Sequence, residues 1–177
     1  VPETGEVKKG VVYTNNGFWD TYRTVYPLYS IVSPEKLEDI LEGYVNVYED
    51  TGVLPRWLTP SEVNYMPGTL IEAVFADAIC KDLVSDSLKQ RIYNAVTKNA
   101  EFISDDFRIA RKCLEEYKTL GYVPYDKCRE SVNETLDSAY GDFCISVIAE
   151  KCGQKEVSQK FLARSKNYAN IFDRETG

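Results

Sequence analysis

Trp19, Asp20, Tyr22 and Arg23 crowd into the string GFWDTYRT, residues 17–24. On a helix, Trp19 and Tyr22 are neighbours three apart, and so are Asp20 and Arg23. That grouping suits a sugar: a ring stacks on the C–H face, and the charged groups bind hydroxyls. The same spacing also describes a buried helix with a local salt bridge.

A second constellation lies in VLPRWLTPSEVNYMPG, residues 53–68. Its prolines and its lack of a helical period predict a long ordered loop, of the kind that often carries function. Arg56 and Trp57 could form a subsite wall with a hydroxyl-binding arm, joined by Glu62, Asn64 and Tyr65. Equally, Trp57 could pin the loop to the surface. Asp77 falls in an apolar helical pattern and needs a partner, either a helix-to-helix hydrogen bond or a ligand. Asp142 is placed likewise, after Gly141, where glycine predicts a close approach such as a helix crossing.

Much chemistry is excluded. The chain has no histidine, so Ser-His-Asp and Cys-His catalysis and zinc sites with histidine ligands are ruled out. Its five cysteines are odd in number and show no CxxC pair, against a zinc ribbon or a complete disulfide framework. Cys80, Cys113 and Cys144 read as buried free thiols. A formal charge of −7 lacks the basic footprint of a nucleic-acid binder. No apolar run approaches a membrane span, and the first residues do not read as a signal peptide, although one could have been removed ahead of Val1. The acidic doublets lack EF-hand spacing and read as solvated faces. The sequon at Asn133–Thr135 falls in a helical pattern and is discounted. Chemistry is left to carboxylates, amides, tyrosines and arginines.

The elements that must position these residues are helical. Residues 1–13 read as extended. Asn15 and Asn16 suit a cap for a helix from about Gly17 to Ile31, with Pro27 as a kink. Ser33-Pro34-Glu35 starts a second helix, and Gly52 ends it. Further apolar stripes predict helices around Leu70–Ile79, after Ser85, over Ile109–Tyr117, over Val132–Ile148 and over Val157–Phe172. With 44% hydrophobic residues and no linker, the chain reads as one all-α domain of antiparallel helix pairs. No residue-level repeat supports a regular solenoid.

The segments GFWDTYRTVYPL, LPRW, EVNYMPGTLIEAVFADA, YKTLGYVPYD, SVNETLDSAYGDFCISVIA and FLARSKNYANIFDRETG together resemble glycoside hydrolase family 92. Members are bacterial, exo-acting, inverting α-mannosidases that depend on calcium. The resemblance implies part of an (α/α)6 toroid, with Trp19, Asp20 and Arg23 in or beside the subsite for terminal mannose. It puts Arg56, Trp57, Glu62 and Asn64 at the same mouth. Many members carry histidine where this chain has Tyr26 and Leu70, which implies a different linkage preference.

The family's general acid, general base and calcium-binding motifs correspond to no residues here. An inverting glycosidase needs two carboxylates roughly 6.5–9.5 Å apart. The chain is therefore expected to carry no catalytic or metal-binding residues of its own and to be inactive alone. It is expected to self-associate or to be completed by the rest of the toroid. The resemblance also implies a secreted or periplasmic setting. The alternative is a non-catalytic helical module that binds carbohydrate or protein. A purely structural helical repeat, with no sugar binding, is the third.

Overall fold

The computed structural model describes residues 5–13, 16–59, 61–63, 65–106 and 108–176. Asn15 and Asn64 lie outside that set.

Helices dominate, as the apolar periods require. Their order is β1 (Asn16–Gly17), α1 (Phe18–Thr21), α2 (Val25–Val32), α3 (Pro34–Thr51), β2 (Trp57–Leu58), α4 (Ile71–Cys80), α5 (Asp86–Asn99), α6 (Leu114–Leu120), α7 (Ser131–Lys151) and α8 (Lys155–Arg164). A 3₁₀ helix, Ser165–Ile171, follows. β1 and β2 pair antiparallel, with Gly17 opposite Trp57. α7 is the hub: it packs on α4, α5, α8 and the 3₁₀ helix, while α2 lies on α3 and α3 on α5. Together these helices form part of a helical toroid.

The core follows from the stripes. Leu37, Leu41, Tyr44 and Val45 of α3 meet Ile71, Val74, Phe75 and Ala78 of α4 and Leu88, Ile92, Ala95 and Val96 of α5. Ile145 and Ile148 of α7 and Phe161 of α8 complete this cluster. α4 is buried along nearly its whole length, because helices cover it on two sides. α7 is not: Leu136, Tyr140 and Phe143 leave an exposed apolar stripe.

Helix ends obey local rules. Gly52 and Gly121 close α3 and α6 with φ of +81° and +77°, the left-handed conformation that glycine reaches without strain. Ser85 caps α5, its Oγ accepting from the Leu88 N–H at 3.3 Å. Ser85→Ala is expected to cost about 1 kcal/mol, read as a lower urea midpoint.

Several expectations need correction. The first helix is broken between Thr21 and Val25. Pro27 sits in the first turn of α2, where its missing N–H costs no helical bond, so it does not kink the helix. Asn16 caps nothing: its amide donates to the hydroxyls of Tyr26 and Tyr44. α3 begins at Pro34, but the Ser33 side chain makes no cap bond. The loop over 53–68 contains the short strand β2. The helix expected from Ile109 starts only at Leu114, because Ala110 and Cys113 are left-handed, with φ of +62° and +49°. The last helix divides at Ser165. Cys80 is exposed rather than buried.

Candidate functional site

The site is built on the β1–β2 pairing. Gly17 has no side chain, and a Cβ there would lie 2.0 Å from the Trp57 ring. The bare glycine therefore lets the indole lie flat across β1. Trp57 then meets Tyr65 edge-to-face, with ring centroids 5.7 Å apart at 90°. Trp19, from α1, joins them along a narrow crevice that also takes in Arg56, Val63, Met66, Pro67 and Gly68. Half-buried Trp19 packs its inner edge on the core, and Tyr65 is exposed.

Asp20 and Arg23 stand beside Trp19 and are open to water, with side chains 65% and 61% exposed. They pair at 3.3 Å, and Arg23 lies 5.9 Å from the Tyr22 ring centre. Tyr22 meets Tyr140 of α7 at 5.9 Å. At such exposure the ion pair adds little stability, so both groups are free to exchange partners for a ligand.

The second constellation divides in two. Trp57 forms the wall. Arg56 is buried, at 4% exposure, and its guanidinium donates to the carbonyls of Met66 at 2.7 Å, Gly68 at 3.3 Å and Ala110 at 3.5 Å. Glu62 accepts the backbone N–H groups of Arg56 and Trp57, both at 2.9 Å. These two side chains hold the loop's backbone from within.

Beneath the loop lies a polar network that sequence reasoning missed. Arg111 is buried and binds Glu72 of α4 at 3.1 Å and Asp142 of α7 at 2.6 Å. Arg164 of α8 binds Asp142 at 2.6 Å and Glu101 at 2.9 Å. The Tyr117 hydroxyl donates to Asp142 at 3.0 Å. Glu72 accepts from the Thr69 hydroxyl at 2.8 Å. Glu134 accepts the Gly68 N–H at 3.3 Å and pairs with Lys112 at 3.1 Å.

Gly141 makes room for Arg111, since a Cβ there would lie 2.6 Å from Nη2. The closest approach is thus to a guanidinium, with the Glu72 carboxyl of α4 next at 3.5 Å. Asp77 pairs with Lys81 one turn on at 2.7 Å, and Lys81 also reaches Ser30 of α2 at 2.8 Å. The only sequence signals for this network were carboxylates in apolar helices.

Tyr26 and Leu70 are both core residues. The Tyr26 hydroxyl lies 2.8 Å from that of Tyr44. Burial, with Tyr44 beside it, pushes its phenol well above the usual range. Leu70 precedes α4 with φ of +57°.

The arrangement is a segment of a helical toroid with an aromatic ledge and an exposed acid–base pair at one edge. Its sequence identifies it further: the model of the glycosyl hydrolase family 92 catalytic domain matches residues 2–177, and the chain belongs to that family.

Two solved structures are similar throughout. The family GH92 inverting mannosidase BT2199 of Bacteroides thetaiotaomicron VPI-5482 is 30% identical, with a TM-score of 0.90, over 100% of this chain and 24% of its own. The GH92 α-mannosidase BT3965 of Bacteroides thetaiotaomicron, solved with mannoimidazole, is 34% identical, with a TM-score of 0.84, over 97% of this chain and 22% of its own. The chain therefore spans about a quarter of the length of these relatives. No curated protein matches it.

Proposed function

We propose that the chain supplies part of the terminal-mannose subsite of an exo-acting, inverting α-mannosidase. Family membership and the exposed Asp20–Arg23 pair beside Trp19 support this reading; the crevice between Trp19, Trp57 and Tyr65 is only about 10 Å³, so a sugar would lie over the rings and not between them. The rings stack on the sugar's C–H face, and Asp20 and Arg23 bind hydroxyls.

The reading supplies binding without chemistry. Of the carboxylates nearest the crevice, Glu62 is held by backbone N–H groups and Glu72 by Arg111. The resemblance brings calcium with it. Among the described residues, however, no group of three or more Asp, Glu or Cys could hold a metal ion. We also propose a secreted or periplasmic bacterial setting, in keeping with relatives from Bacteroides. The exposed stripe of Leu136, Tyr140 and Phe143 supports self-association or cover by the rest of a toroid.

Purified chain with calcium is expected to leave an aryl α-mannoside unhydrolysed; robust turnover overturns the silent-fragment reading. By calorimetry it is expected to bind mannose, with Trp19→Ala weakening binding by about tenfold or more. Absence of any sugar binding overturns the subsite. The engaged carboxylates favour one second reading, a non-catalytic carbohydrate-binding module. Tight binding of an α-mannobiose without turnover supports that reading.

A further inference from the structure

Asp137 stands between the polar network and the loop that carries Trp57 and Tyr65. It lies one turn beyond Glu134 on α7 and packs against Gly68. A Cβ on Gly68 would sit 2.5 Å from Asp137 Oδ2 and 2.7 Å from its Cβ, and Gly68 has φ of +71°. Two side chains of α7 thus hold one loop residue: Glu134 takes its N–H, and Asp137 lies against its Cα. Asp137 Oδ2 is itself buried and has no hydrogen-bond partner.

The charges that face Asp137 are uneven. Glu134 comes from its own helix, Glu72 from α4 and Arg56 from the loop. Lys112 and Arg111 are already engaged by Glu134 and Glu72. Arg56 is the cation facing Asp137, and its guanidinium now closes the loop by binding the Met66 and Gly68 carbonyls. The same Arg56 precedes Trp57 in the loop, and the Met66 carbonyl that its guanidinium binds follows Tyr65.

We propose that Asp137 is a positioning residue that holds a proton while the loop is seated. Neutral, its carboxyl lets the Gly68 turn lie on α7. When the O–H bond breaks and the proton leaves to water, the carboxylate draws the Arg56 guanidinium from its carbonyls and loosens Trp57 and Tyr65.

The energetics agree with this geometry. Burial, then the charges of Glu134 and Glu72, push the Asp137 carboxyl from 3.8 up to about 6, against the pull of Arg56. The folded pKa is the raised one, so the folded state keeps a proton that an unfolded chain has lost. That contribution to stability is full below about pH 4 and is lost as pH rises through about 6.

The chain suits a direct test that needs no sugar and stands apart from the proposed function. Its two tryptophans both line this crevice. It has no histidine, and burial pushes Cys113 and Cys144 up to about 12. Tryptophan emission followed from about pH 4.5 to 8 is expected to show one transition near 6, absent in Asp137→Asn. A flat wild-type titration, or a transition that survives in Asp137→Asn, overturns the proposal. Melting supplies a second readout: Asp137→Asn is expected to melt higher than wild type at about pH 8 but not at about pH 4.5. An equal shift at both values marks a merely structural effect and overturns the proposal. Carbon-13 NMR of the wild-type side-chain carboxyls keeps the test independent of any variant, and titration of all of them below about pH 5 likewise sinks it.

Discussion

Asp142→Ala is expected to cost about 3–5 kcal/mol, a large share of the roughly 5–15 kcal/mol that holds such a domain folded. Asp142 is fully buried. Its two oxygens take Arg111 at 2.6 Å, Arg164 at 2.6 and 2.8 Å and the Tyr117 hydroxyl at 3.0 Å. Alanine leaves two guanidinium groups short of charge where their side chains are only 2% and 12% exposed. Each retains one other anion, Glu72 or Glu101, which limits the loss without cancelling it. A urea titration should show the midpoint falling by about 1–3 M. Asp142→Asn should fall less, since it keeps an acceptor but not the charge. If Asp142→Ala stays within about 1 kcal/mol of wild type, this network does not join α4, α7 and α8.

Gly17→Ala is expected to dislodge the aromatic wall. The new Cβ would lie 2.0, 2.1 and 2.6 Å from three carbons of the Trp57 ring, and no rotamer of alanine relieves that. Either the indole leaves β1 or the Gly17–Trp57 register breaks. The cost is about 1–3 kcal/mol, and tryptophan emission should shift red as Trp57 meets water. Gly52→Ala is the control. Its φ of +81° strains alanine, but nothing lies within 4 Å of the new Cβ. It should therefore lose about 1 kcal/mol and leave the emission unchanged. An unchanged spectrum for Gly17→Ala means that Trp57 does not rest on β1.

Trp19 and the acid–base pair beside it were legible because they are close in sequence. Trp19, Asp20 and Arg23 share one short stretch, in which Asp20 and Arg23 are exposed and Trp19 is half-buried. Arg56 and Glu62 looked the same in sequence as Trp57, yet they turn inward. A loop without helical hydrogen bonds must satisfy its own backbone groups. Here a guanidinium caps two of the loop's carbonyls and a carboxylate takes two of its N–H groups. Composition could not tell a side chain that reaches for a ligand from one that holds its own loop.

By itself the sequence determined the apolar faces of the main helices and some of their ends. The period of Leu37, Leu41, Tyr44 and Val45, proline at the first position of α3 and the glycines at 52 and 121 are local signals, set by backbone geometry within one helix. The ordered motif strings likewise carried the family. Tertiary structure alone decided that Arg111 would leave a helical path, reach Glu72 39 residues back and Asp142 31 residues on, and use the space beside Gly141. It also set Asp137 beneath Gly68. Such pairings depend on which helix faces meet in three dimensions, and a charge buried in a helix names its need for a partner without naming the partner.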